Sequence, residues 1–140
     1  MSSERDQLHA VNDLFYKTLE TLDLAAMEDL WLHEGFVRCV HPGWDVMVGW
    51  DAVRRSFQQI FESTRWIRIT PTAIDVAAFG PVGIVACSEN ITDTSQGDVG
   101  LGVAQATNIF QNVGGVWRMI VHHASPAPVR VTQPFSGSVQ

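Results

Sequence analysis

Apolar side chains recur every three or four residues through the first third of the chain. Leu8, Val11, Phe15, Leu19 and Leu22 fall on one side of a helix, the spacing that a turn of about 3.6 residues imposes on a buried stripe. Ser3, with Asp6 three residues on, forms a capping box in which Asp takes the usual place of Glu. Asp23 is placed to cap a short second helix carrying Leu24, Met27, Leu30 and Trp31, with Gly35 as its stop. A β-rich run from Phe36 to His41 then meets Pro42-Gly43, a turn signal. Gly49 opens a third helix whose inner face holds Val53, Phe57, Ile60, Phe61 and Thr64.

From Trp66 the pattern changes to strands. Trp66 to Val76 is rich in Ile and Thr, with a break near Pro71. Phe79-Gly80-Pro81-Val82-Gly83 turns the chain into a strand from Ile84 to Thr92, and Ser95-Gln96-Gly97-Asp98 turns it again. Val99 to Asn112 is long for a strand, and Gly100 and Gly102 predict a bend or bulge within it. Gly114-Gly115 marks a hairpin. Val116 to Ala124 is the last strand, ended by Ser125-Pro126. Helices followed by consecutive antiparallel strands define an α+β fold. We read residues 1–126 as a single domain and 127–140 as an extended tail. In the strand from Ile84, the series Ile84, Ala86, Ser88 and the series Val85, Cys87, Glu89 are each partly apolar. A sheet with two apolar faces needs two covers. The helices supply one, and a second subunit is the simplest supply of the other, so a homodimer is expected.

Composition narrows the function classes. The 140 residues carry a net charge of -6, and phosphate binding needs a basic face, which argues against nucleic acid. The one basic cluster, Arg65-Trp66-Ile67-Arg68 with Arg54 and Arg55 nearby, reads as solvated edges of a helix and a strand. Cys39 and Cys87 lie in apolar stretches without CxxC spacing and read as small core residues with no disulfide. No apolar run approaches the roughly 20 residues of a membrane span. The charged N-terminus lacks a signal segment, so the expected location is cytoplasmic.

No nucleotide, P-loop, nucleophile-elbow or zinc-protease motif is present. What remains is a set of polar residues inside apolar strands, where an unpaired polar group is costly. His41 ends a strand and is held extended by Pro42. Two roles are open to it: a general base near neutral pH, or a ring that ties down the following turn. Glu89 and Asn90 point to opposite faces. A buried Glu89 has a raised pKa and can serve a site, whereas an exposed one is a charge at the sheet rim. Asn108 is out of place mid-strand and donates either to a ligand oxygen or to a protein neighbour. His122 and His123 are adjacent on one strand and so face opposite ways, which prevents one ion from taking both and leaves open only a site that joins one of them with His41 and Glu89, although none of these spacings is a ligand signature. One of them is expected at the pocket or core, the other at the dimer surface. Trp44, in the turn after His41, is placed to wall a pocket.

Taken together, these segments resemble the SnoaL-like group of the nuclear transport factor 2-like superfamily. The likeness runs over about residues 5 to 126. It is carried by Leu22-Asp23-Leu24, Cys39-Val40-His41-Pro42-Gly43, Gly49-Trp50-Asp51-Ala52-Val53, Ser88-Glu89-Asn90, Ala106-Thr107-Asn108-Ile109-Phe110 and the run from Trp117 to Pro126. The resemblance implies a cone-shaped roll in which N-terminal helices pack inside a curved antiparallel sheet around a pocket, and dimers through the open sheet face. Ketosteroid isomerase is the informative relative. Its general-base Asp also precedes a proline after the first strand, and His41 matches that position. Its oxyanion-hole acid lies at or near Asn108. Its tyrosine donor matches Phe15, whereas Tyr16 is one position away and turned by about 100° around the helix.

The resulting expectation is a pocket protein that performs general acid–base proton transfer on a hydrophobic carbonyl compound: an isomerase, cyclase or dehydratase. His41 and Asn108 would be catalytic, and Trp44, Glu89, His123 and Phe15 would bind substrate, with no metal and no cofactor. The alternative from the same fold is a non-catalytic ligand-binding or dimerisation module.

Overall fold

The computed structural model describes residues 3–94 and 100–128. The turn read at Ser95 to Asp98 and the tail beyond Pro128 lie outside the described residues.

Helix α1 spans Glu4–Thr21, and its start is the capping box read from the sequence. Ser3 Oγ accepts from the Asp6 amide at 3.1 Å and Asp6 Oδ2 accepts from the Ser3 amide at 3.4 Å. Leu22 takes the left-handed conformation that stops the helix. Asp23 then caps α2, Leu24–Leu30, through Oδ1 and the Ala26 amide at 3.2 Å. This helix does not run on to Gly35. The Leu32 amide donates instead to the Met119 carbonyl at 3.0 Å, and Trp31 bridges Met119, so pairing with a strand takes over from the helix. Helix α3, Trp50–Ser63, starts at Gly49 with φ +87°, a backbone angle that favours glycine.

The strands are β1 Arg38–Val40, β2 Met47–Val48, β3 Ile67–Phe79, β4 Val82–Asp93, β5 Gly100–Val113 and β6 Val116–Ala127. They form one open, curved six-stranded sheet in the order β2-β1-β6-β5-β4-β3. All neighbours are antiparallel except β1 and β6, which run parallel with Cys39 opposite His122 and Val40 opposite His123. The fold is therefore α+β, with three helices on one face of the sheet.

Two irregularities bend the sheet, and neither is where glycine or proline predicted it. Pro71 stays in register opposite Glu89, and β3 slips between Thr72 and Asp75, where Ala73 has φ +52°. Gly100 and Gly102 pair in register with Asp93 and Ile91, and the second bulge falls where Ile109 faces Val121 and Phe110 faces Met119, leaving Ile120 extra. Strand β6 also continues through Ser125 and Pro126 to Ala127. Its β1 side is unpaired beyond His123, so the amide hydrogen that Pro126 lacks removes no ladder bond there.

Along β4, Val85, Cys87 and Glu89 turn toward the helices and are buried, and the residues between them turn to the outer face. Phe15, Tyr16, Trp31, Val53 and Phe57 fill the space between helices and sheet. Both cysteines are buried free thiols.

Candidate functional site

His41 follows β1 directly, where the parallel pairing with β6 sets it beside His122; the two ring centroids are 6.1 Å apart. The turn after His41 is closed by backbone, since the Trp44 amide donates to the His41 carbonyl at 2.8 Å. The imidazole is thus spared that task. Its Nε2 lies 2.8 Å from Ser56 Oγ, and the Ser56 hydroxyl donates to the Val53 carbonyl at 2.7 Å. Ser56 has one proton, so both bonds are made only if His41 Nε2–H is the donor. Nδ1 then carries the lone pair, and Cys39 Sγ lies beside the ring, 3.5 Å from Nε2 and 3.8 Å from Nδ1. Phe57 and Trp44 stand edge-on to the ring at 4.9 and 5.0 Å. Burial pushes the His41 pKa down to about 4, because a charged imidazolium is poorly solvated there. The neutral, proton-accepting form is the resting form.

A second polar cluster runs from α1 through the sheet. Glu89 on β4 is 2% exposed, and its Oε2 accepts from Tyr16 Oη at 2.6 Å. Asn108 on β5 donates through Nδ2 to Tyr16 Oη at 3.0 Å and to Asn12 Oδ1 at 2.8 Å. Its Oδ1 accepts from His122 Nδ1 at 2.7 Å. That bond fixes His122 with its proton on Nδ1 and a lone pair on Nε2, which lies 3.9 Å from Glu89 Oε2. Burial raises the Glu89 pKa and lowers that of His122 well below its usual value, with His41 and His123 adding to the latter. Burial thus favours the neutral forms of both groups, the protonated carboxyl and the uncharged imidazole.

His41, His122 and Glu89 line one cavity of about 470 Å³. Its remaining wall is mostly apolar, with Leu19, Trp44, Ile60, Ile67 and Ile69, and Asp93 also borders it. A larger concavity of about 650 Å³ lies on the outer face of the sheet. None of these three residues borders it, so the buried titratable groups gather at the smaller cavity.

The sequence-predicted site residues divide accordingly. His41, Trp44 and Glu89 meet at the cavity. Asn108 joins the network but not the wall, because all its polar atoms are spent on Asn12, Tyr16 and His122. Phe15 is fully buried, packed on Tyr16 and His122 at 5.0 and 4.8 Å, and does not border the cavity. His123 is exposed on the outer face, so His122 is the inward histidine. Tyr16 does not turn away; its hydroxyl sits in the middle of the network. Four participants were not singled out from the sequence: Asn12, Tyr16, Ser56 and the inward choice of His122. A signal for the first three existed, since Leu8, Asn12, Phe15, Tyr16 and Leu19 share a helix face, as do Val53, Ser56, Phe57 and Ile60. Among the described residues no three His, Cys, Asp or Glu converge to hold a metal ion. Nor is any described helix long and apolar enough to cross a membrane, a statement about helices alone.

Residues 8–130 match the SnoaL-like domain. A crystal structure from Streptomyces avermitilis, provisionally described as a dehydratase of the nuclear transport factor 2-like family, is 32% identical with a TM-score of 0.85, covering 90% of this chain and 97% of that one. A structure from Thiobacillus denitrificans, provisionally described as a calcium/calmodulin-dependent protein kinase type II association domain, is 26% identical with a TM-score of 0.76, covering 86% and 94%. A nuclear transport factor 2-like superfamily protein from Salmonella enterica shares the fold at 13% identity and a TM-score of 0.80, covering 94% and 96%. Among curated proteins, F-box protein SKIP8 of Arabidopsis thaliana is 25% identical over 116 residues, 83% of this chain and 48% of that protein. The chain thus spans about half the length of the curated relative it matches.

Proposed function

The chain belongs to the SnoaL-like domain family, and from that footing we propose that it is a pocket enzyme in which His41 removes a proton from a carbon next to the carbonyl of a hydrophobic substrate. The observation that carries this reading is the meeting of three buried titratable groups, His41, His122 and Glu89, on the wall of one largely apolar cavity. Burying such groups costs stability, and perturbed groups in a cleft mark sites of chemistry.

The Ser56 bond orients the His41 ring and directs its lone pair to Nδ1. A substrate seated against the apolar wall would displace water from it, which strengthens every polar contact made inside. Trp44 offers a flat apolar surface to the substrate. Asn108 is a positioning residue that holds Tyr16 and His122. Isomerisation, cyclisation and dehydration all begin with this proton removal, and the description of the Streptomyces avermitilis relative as a dehydratase favours the last.

The test begins with native mass spectrometry of the purified protein, read for retained mass and subunit number. Turnover of a retained carbonyl compound, or of the β-hydroxyketone formed from acetone and benzaldehyde, is then compared in wild type and His41→Ala. Loss of a general base is worth about 10²–10⁴ in rate, so unchanged turnover in His41→Ala sinks the assignment.

A second reading has its own support. The outer sheet face is a concavity of about 650 Å³ bordered by Ala86, Gln105, Thr107, Ile109 and His123, and structural relatives are described as association domains. We propose that a second copy of the chain covers this face. In the non-catalytic version of this reading, the dimer is the function and the inner cavity merely holds a ligand.

A further inference from the structure

We propose that Glu89 is the acid of the inner cavity: its Oε1 delivers a proton to the oxygen of the bound substrate, and Tyr16 and Asn108 position it for that transfer. The inference rests on the reading of the cavity as a proton-transfer site and adds the group that completes the reaction.

The geometry assigns the two oxygens of Glu89 different tasks. Tyr16 Oη–H donates to Oε2 at 2.6 Å, and Tyr16 is held in turn by Asn108 Nδ2 at 3.0 Å. Oε2 is thus the accepting, carbonyl-like oxygen. No hydrogen bond reaches Oε1 among the described residues, and Glu89 borders the cavity. No Lys or Arg of the described residues pairs with the carboxyl. The titratable groups around it are Tyr16 from α1, Cys39 from β1, Cys87 from β4, and His122 from β6, with His41 and Asp93 on the same cavity wall. None of these is a resident cation, because burial keeps both imidazoles neutral. Burial without a cation favours the protonated carboxyl, and it raises the Glu89 pKa against the opposing effect of the Tyr16 hydrogen bond. The proton then sits on Oε1, the oxygen without a protein partner.

An acid and a base on one wall complete an elimination. His41 Nδ1 takes the proton from the carbon beside the carbonyl, and the electrons of that C–H bond form the new C=C bond. The C–O bond at the β-carbon breaks, and the departing hydroxyl takes the proton of Glu89 and leaves as water. His41, now protonated, returns its proton to the Glu89 carboxylate. His122 lies between them, its ring centroid 6.1 Å from that of His41 and its Nε2 lone pair 3.9 Å from Glu89. The substrate loses water and the protein returns to its starting state.

Infrared spectroscopy tests the resting state without any substrate. Wild-type protein at neutral pH is expected to show a protonated-carboxyl carbonyl band that shifts in deuterium oxide and is missing in Glu89→Gln. In Tyr16→Phe the band moves to higher frequency, as its carbonyl oxygen loses a donor. No band in wild type, or a band that survives in Glu89→Gln, overturns the assignment. Should Glu89→Gln not fold, Glu89→Asp keeps an acid but withdraws it from Tyr16, and an unmoved band overturns the assignment equally. The catalytic step is tested with the β-hydroxyketone of acetone and benzaldehyde and with its acetate ester, whose leaving group departs without a proton. In Glu89→Gln the hydroxyl-to-acetate rate ratio falls by about 10²–10⁴, whereas in His41→Ala both rates fall and the ratio holds. An unchanged ratio in Glu89→Gln refutes the acid role and leaves the His41 reading intact. A protonated-carboxyl band with no effect of His41→Ala on turnover does the reverse.

Discussion

Acid should destabilise this fold through His41, and the size of the effect follows from its burial. An unfolded histidine titrates near 6.5 and the folded His41 near 4. Between those values the unfolded chain binds a proton that the folded chain refuses. Stability from this residue is therefore complete above about pH 6.5 and is lost as the pH falls through about 4. The interval corresponds to about 3 kcal/mol at roughly 1.4 kcal/mol per decade, a large share of the roughly 5–15 kcal/mol that holds a typical domain folded. His122 acts in the same direction and Glu89 in the opposite one, since a raised carboxyl pKa favours the fold at low pH and loses that contribution as the pH rises. Comparison with His41→Gln removes the Glu89 contribution and the burial part of the His122 one, which are common to the two proteins; the smaller part that His41 adds to the His122 shift goes with His41 and counts toward the difference. Urea unfolding at a series of pH values from 7.5 to about 4 is the assay, with slopes of about 1–3 kcal/mol per molar expected. Wild type should lose up to about 3 kcal/mol more than His41→Gln over that range. Parallel stability curves would refute the reasoning, for they would mean that folded His41 takes up its proton as easily as an unfolded one.

Two further outcomes are expected. A methyl group at Gly83 would lie 2.4 Å from Leu8 Cδ1 and 2.5 Å from Cδ2, and Leu8 is fully buried. Gly83→Ala should thus cost about 1–3 kcal/mol, and adding Leu8→Ala should cost less than the sum of the two single changes; additive losses in denaturant melts would deny the clash. On the outer face, Thr107→Arg places a charge in the exposed concavity and should turn a dimer into a monomer in native mass spectrometry with the circular dichroism unchanged. A dimer that survives the change uses another surface.

Element types were legible wherever a period ran long enough. The α1 stripe, the Ser3–Asp6 box, the Asp23 cap and the Gly114-Gly115 hairpin follow from local chemistry and are found in the fold. Strand β2, only Met47–Val48, is too short to carry a period. The bulges depend on how neighbouring strands fit over the helices, so Ala73 and Ile120 bear them while Pro71 and Gly102 do not. At the site, His41, Trp44 and Glu89 stood out as local anomalies. The choice between His122 and His123 did not, because alternation gives opposite faces but not which face is inward; the pairing of Cys39 with His122 decides it. Tyr16 was set aside because it lies about 100° from Phe15 around the helix. A helix laid on a curved sheet buries an arc at least that wide, and both residues fall inside it.

The parallel pairing of β1 with β6 has a kinetic consequence. Every other pairing between two of the named strands joins neighbours in the chain, but Cys39 waits for His122, as the Trp31 bridge waits for Met119. The intervening hairpins can zip from their turns, whereas this last closure must overcome the entropy of a long loop. During synthesis the ring of His41 has no His122 beside it until almost the whole described chain has left the ribosome. The cavity is therefore complete only once this long-range closure has been made.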